Sequence, residues 1–237
     1  MAYAVSMVKG ARVTDRRGGA KAGLSRERVL DGALEYLDAY GLPALSMRRL
    51  GTHLGVEAMS LYRHVPNKAA LLDGLVDRVM ELAFAGLQDP PQDLWVPWMR
   101  RFAHSLRAAL RAHPGVLPLA ATRPVNSPEA LQMSERWLGS MRAAGLPLGR
   151  AMDVVNVVAT FTIGHTLAEV GRTPGHEGTE PDLDEHAGDL DPALFPNLTE
   201  VIATRAGLDF DTRFTEAIDF LLAGSAALPP APPAAVA

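Results

Sequence analysis

Residues Leu45 to Lys68 read LSMRRLGTHLGVEAMSLYRHVPNK, and this stretch decides the fold. Ser46 can cap a short helix running to about His53. Gly51 is small where two short helices cross, and Gly55 allows the positive φ of a tight interhelical turn. A third short helix is expected from Glu57 to His64. Pro66 ends it, because proline lacks a donor and disfavours helix in the residue before it. Val56 and Leu61 pin this helix to the first two. A helix of that length is unstable alone, so Leu50, Leu54 and Leu61 must dock it. Its other face then shows Ala58, Met59, Ser60, Tyr62, Arg63 and His64. Such a pattern is a helix-turn-helix or an ordinary helical hairpin, and the glycine–leucine spacing alone leaves both open.

Outward from this stretch the chain stays helical. Upstream, Ser25 can cap a helix carrying Val29, Leu30, Ala33, Leu34 and Leu37, which Gly41 stops. Downstream, Asn67 can cap a long helix with Leu71, Leu72, Leu75, Val76 and Val79, which Asp89-Pro90-Pro91 breaks. Helices are expected from about Leu94 to Ala112, from a Ser127 cap to Ala144, and from Leu148 to Val170. Two more are expected at about Pro192–Ala203 and Asp211–Ala226. Gly115 to Pro124 is short helix or irregular, and residues 171–191 form a Gly/Pro/acid-rich loop. No strand alternation persists. The reading is all-α: an N-terminal three-helix unit over 25–70 and a larger C-terminal bundle over 71–226. The leader 1–24 and the Pro/Ala tail 227–237 are expected to be disordered.

Composition narrows the function. The chain has 237 residues, 48% of them hydrophobic, enough to bury a sizeable core. It has no cysteine, which excludes disulfides, Cys-ligated zinc, iron–sulfur clusters and a thiol nucleophile. No run of about 18 apolar residues exists, so no membrane span is expected. The basic residues of the N-terminus follow a short apolar patch, the wrong order for a signal peptide. A cytoplasmic protein is expected. Charge is uneven: residues 1–80 carry twelve Lys/Arg against eight Asp/Glu, and residues 81–237 carry eleven against nineteen. A basic front on an acidic back suits a polyanion-binding end. No G-x-S-x-G, G-x-G-x-x-G, phosphate-binding loop or H-E-x-x-H occurs, so neither an enzyme nor a cofactor is expected. His176-Glu177 and Glu185-His186 read as solvated loop pairs. His165, on an apolar helix, reads as a satisfied core or pocket histidine.

The stretch Leu24 to Val79 closely resembles the DNA-binding domain of the TetR family of repressors, most specifically in Leu61-Tyr62-Arg63-His64-Val65-Pro66-Asn67-Lys68. Thr122-Arg123-Pro124 and Phe161-Thr162-x-Gly164 resemble the regulatory domain of the tetracycline repressor. The resemblance implies that Arg48 and residues 57–64 read a major groove of double-stranded DNA. It implies that Tyr62, His64 and Lys68 grip the backbone, with Ser46 and Met47 meeting phosphate at a helix N-terminus. Ala58 stands where the tetracycline repressors have glutamine. Ala58 and Met59 can touch a thymine methyl but make no bidentate bond, so the operator should differ.

The resemblance further implies a homodimer on a palindromic operator, released by a small-molecule inducer. Its dimer bundle would use Leu148–Val170 and the last helix, with Phe214, Ile218, Leu221 and Leu222. Candidate pocket residues are Phe84, Phe102, Ser105, Leu119, Arg123, Pro124, Trp137, Met141, Thr160, Phe161 and His165. Arg123 is the favoured polar anchor, since a buried Arg needs a partner. Leu119, Thr160 and Ala168 occupy positions that carry metal-site side chains in the tetracycline repressors. Leucine and alanine cannot coordinate Mg²⁺, so the expected ligand is largely apolar and binds without a metal. The alternatives are a ligand-independent regulator, or a small-molecule-binding protein or enzyme without DNA function.

Overall fold

In the computed structural model, residues 23–87, 94–171, 190–205, 207 and 209–227 are described. Among them there are helices and turns but no strand. The head is α1 (Arg26–Tyr40), α2 (Met47–Leu54) and α3 (Ala58–Leu61), followed by α4 (Lys68–Phe84). The body is α5 (Trp95–Ala112), α6 (Leu117–Ala120), α7 (Pro128–Ala143), α8 (Leu148–Val170), α9 (Pro196–Thr204) and α10 (Phe210–Ala227). Residues 1–22 of the leader, the Asp89-Pro90-Pro91 break, both loop histidine pairs and residues 228–237 of the tail lie outside the described residues.

Local chemistry starts the helices where expected. Ser25, Ser46, Asn67 and Ser127 each accept a hydrogen bond from the main-chain N–H three residues on, satisfying a donor that the first turn leaves free. Gly55 takes a left-handed φ of 68° and its N–H closes the end of α2. A Cβ on Gly51 would lie 2.9 Å from the Val56 carbonyl oxygen and 3.1 Å from the Ala58 nitrogen, so only glycine lets α3 sit this close to α2.

Two boundaries differ from expectation. The helix read at Glu57–His64 is a single α-turn, Ala58–Leu61, and the chain continues as turns through His64. Leu61 closes it by accepting from the N–H groups of both His64 and Val65, so the segment ends before Pro66 rather than at it. The helix expected from Pro192 begins at Pro196, because Asp191 accepts from the Ala193 and Leu194 N–H groups and holds a turn there.

One continuous core runs through head and body. Leu30, Leu34 and Leu37 of α1, Leu50 of α2 and Leu61 of α3 are fully buried with Leu71 and Leu75 of α4. Thus α4 begins in the head and ends in the body, packed along α5. A second tie links the units. Asp38 of α1 accepts from the Gly115 N–H at 3.0 Å and meets His113 Nδ1 at 2.8 Å. A Cβ on Gly115 would fall 2.7 Å from the Leu37 main chain, so bare backbone is needed at this contact.

The 23-residue α8 is long and apolar enough to cross a membrane by length and composition, with a window mean hydropathy of 1.2, although no span was expected. Its alanines and valines raise the mean without making an unbroken apolar run. It packs against α5, α7 and α10, burying Ala151, Val154, Val158, Thr162, His165 and Thr166.

Candidate nucleic-acid interface and regulatory core

The outer surface of the head gathers most of the residues read as DNA-facing. Met59 is 72% exposed and Tyr62 41%, although both are large side chains that a core would normally take. Arg48, Arg63 and Lys68 are exposed, while Ala58, Ser60 and His64 are half-buried on the same segment. Lys68 Nζ donates to the Leu45 carbonyl at 2.7 Å, which ties the start of α4 to the α1–α2 corner and leaves two of its protons free. Ser46 Oγ is engaged as the cap of α2.

Met47 departs from the sequence reading. Its side chain is buried, because Met47, Leu50, Gly51 and Leu54 form the inward stripe of α2 at the spacing i, i+3, i+4, i+7. Only its main-chain N–H can face an anion at the helix start. The sequence reading also passed over Tyr40 and Arg49. With Tyr36, Arg48, Thr52 and His53 they line an open groove of about 440 Å³ between α1 and α2, and Tyr40 is largely exposed.

In the body the candidate pocket residues divide into separate groups. Phe84, Phe102 and Trp137 pack together with Trp98, at ring-centre distances of 4.6–6.0 Å, where α4, α5 and α7 meet. Met141 is buried one turn beyond Trp137 on α7, and Leu119 is buried on α6. Trp137 is 2% exposed, and its indole N–H finds no hydrogen-bond partner among the described residues. Buried indole N–H groups are normally paired.

Phe161 and His165 stand elsewhere, with Phe210 and Phe214, between α8 and α10. Ser105 is spent on structure, donating to the Ala83 carbonyl at 2.6 Å. Pro124 and Thr160 are exposed.

Arg123 is neither buried nor free. It pairs with Asp73 of α4, so the loop after α6 is fastened to the helix that carries the head. One turn along α4, buried Asp77 accepts from the Asn126 and Ser127 N–H groups at 2.9 and 3.0 Å. Neither carboxylate was singled out in the sequence. Their spacing of four, which sets them one turn apart on α4, was the available signal.

Arg107 of α5 is buried and holds Glu169 of α8 through two hydrogen bonds of 2.8 and 2.9 Å, and Asp211 of α10 at 2.7 Å. Arg111 adds a contact to each carboxylate. Desolvation lowers the Arg107 pKa, but the hydrogen bonds to Glu169 and Asp211 outweigh it and the net shift is upward. Burial and then the Arg107 charge hold the imidazoles of His165 and His104 below their ordinary values, so both are neutral at pH 7.

The side chains do not fit the tetracycline–magnesium site. Leu119 and Ala168 offer no ligand atom, Thr160 faces outward, and the Glu169 carboxylate is taken by two guanidinium groups. Among the described residues no group of three metal-ligating side chains occurs.

A three-helix head whose third, single-turn helix is exposed, set on a helical body, is the layout of a helix-turn-helix transcriptional regulator. Residues 29–75 match the description "Bacterial regulatory proteins, tetR family", and residues 87–228 match "Tetracyclin repressor-like, C-terminal domain". The chain belongs to the TetR family. It is 33% identical over 217 residues to an HTH-type transcriptional regulator of Saccharopolyspora erythraea, covering 90% of this chain and 89% of that one. It is 30% identical over 204 residues to the class D tetracycline repressor protein of Escherichia coli, covering 86% and 89%. Among solved structures, ActR of Streptomyces coelicolor in complex with actinorhodin aligns with a TM-score of 0.71 at 32% identity, covering 87% and 98%.

Proposed function

We propose that this regulator is a repressor that binds a palindromic operator as a homodimer and is released by a planar, largely apolar small molecule held without a metal. The observation that carries the DNA half is the exposure of Arg48, Met59, Tyr62, Arg63 and Lys68 on the head, two of them large side chains that a core would normally take. One reading turn buries too little surface for a specific site, and a two-fold dimer supplies a second one. An apolar outer face on α8 and α10 supports dimerisation. Met152, Val157 and Leu167 are exposed on α8, Phe220 is 75% exposed on α10, and a shallow groove of about 280 Å³ runs between the two helices. Exposed apolar side chains grouped on neighbouring helices are the kind of surface that a partner covers.

For the ligand, the aromatic group around the unpartnered Trp137 N–H offers stacking surface and one donor. Phe84 is the last residue of α4, so a molecule inserted there acts on the helix that bears the head. A likeness to a neighbour solved with actinorhodin supports a small-molecule occupant. Ligand must favour the DNA-incompetent arrangement, with a coupling of roughly 1–3 kcal/mol in such switches.

The test is selection of bound duplexes from a random pool, followed by sedimentation and a compound screen on the selected site. Inverted half-sites, a dimer mass, and loss of both dimer and binding in Phe220→Glu are expected. A monomer without sequence preference overturns the reading.

A further inference from the structure

We propose that His165 is the hydrogen-bonding anchor of a second small-molecule site, in the seam between α5, α8 and α10, that takes an aromatic molecule through a phenolic hydroxyl. The site is distinct from the Trp137 group, and the regulator reading does not depend on it. His165 is 9% exposed, and both of its ring nitrogens are buried with no hydrogen-bond partner among the described residues. That is a costly arrangement. An unmade hydrogen bond on a buried polar group is destabilising, and a phenylalanine here would pack at no such cost.

The neighbours cannot relieve it. Arg107 is committed to Glu169 and Asp211. The Thr162 and Thr166 hydroxyls each donate at 2.7 Å to the carbonyl one turn back on α8. What surrounds the imidazole is aromatic. Phe210 and Phe214 meet it edge-on at 5.5 and 5.1 Å, and Phe161 lies 5.5 Å away. Phe161 and Phe210 are only half-buried, so the cluster reaches the surface at that edge.

This chemistry selects the occupant. Aryl rings replace one another in edge-to-face contacts with Phe161, Phe210 and Phe214. A neutral imidazole has one bare nitrogen that accepts from a hydroxyl and one N–H that donates. Arg107 stacks over Phe214 at 4.8 Å and Arg213 over Phe210 at 5.1 Å, which disfavours a cation, while the Arg107 guanidinium is spent on Glu169 and Asp211 and offers an anion no free hydrogen bond. A neutral phenol satisfies all of these conditions.

The experiment titrates the full-length protein with 1-naphthol and with 1-methoxynaphthalene, which lacks the hydroxyl, and follows the imidazole ¹⁵N resonances. Naphthol is expected to shift the His165 signals saturably, with the ether about tenfold weaker. In His165→Phe the two probes should bind alike, and His165→Gln should restore part of the preference for the hydroxyl. Thermal melts confirm that each variant is folded. Three results overturn the proposal: His165 nitrogens unmoved by naphthol, equal binding of the two probes to the wild type, or the same preference surviving in His165→Phe. A ring held by a buried water that naphthol does not displace is the first of these.

Discussion

Arg123, on the loop after α6, is ion-paired to Asp73 on α4, so a body loop and the helix bearing the head share one contact. The pair is partly exposed and should contribute only about 0.2–1 kcal/mol to stability. Its larger effect is expected on coupling. Arg123→Ala and Asp73→Asn should bind operator within a few-fold of wild type but need several-fold more inducer for release. The double variant should show no further change, as in a double-mutant cycle. Release curves on the selected operator check this, and additive effects of the two substitutions would separate the residues.

Arg48 and Lys68 should fail in different ways. An arginine at a base edge carries discrimination of about 1–3 kcal/mol, so Arg48→Ala should weaken the cognate site and flatten preference at one base pair per half-site. Lys68→Ala should weaken all duplexes uniformly and reduce the salt slope. It also removes the bond to the Leu45 carbonyl, so its melting temperature should fall slightly. Filter binding across salt and sequence distinguishes the two patterns.

His165 and His104 give the body a defined pH response. Both imidazoles are held low in the folded protein, by burial first and Arg107 second, while in the unfolded chain they titrate near ~6.5. The native state therefore binds fewer protons than the unfolded one between those values. Their stabilising contribution is present above pH ~6.5 and is lost as pH falls through and below it. Melting temperatures measured from pH 7.5 to 5.5 should fall less in His165→Phe than in the wild type.

Glu169 is the one carboxylate holding Arg107 bidentately in a nearly closed site. Its replacement by alanine strands a buried guanidinium on Asp211 alone, and the cost of such a break is about 3–5 kcal/mol. Replacing Arg107 by leucine together with Glu169 by leucine should recover most of that loss. Urea unfolding of both variants measures the difference.

Helix starts were legible because their causes are local. Ser25, Ser46, Asn67 and Ser127 cap the helices that their positions foretold. The buried face of α2 was legible too, since Met47, Leu50, Gly51 and Leu54 fall at helical spacing. The single turn of α3 was not, because Leu61 closing back on His64 and Val65 is a competition between turn and helix within a few residues. Least legible were the ties of Asp73 to Arg123, Asp77 to Ser127 and Arg107 to Glu169. Each joins residues fifty or more apart, and one sequence carries no mark of which distant charges meet. For the same reason the pocket candidates read as one lining, whereas opposite sides of α5 divide Trp137 from His165.

The carboxylate of Asp38 and the bare main chain at Gly115 make the corner before α6 part of the head's seat. A chimaera that transplants the head of another regulator onto this body must therefore bring a matching acceptor at position 38. A recoded third turn, in which Ala58, Met59, Ser60, Tyr62 and Arg63 are exchanged around a kept Leu61, leaves that seat untouched and is the sounder route to a sensor with a new address.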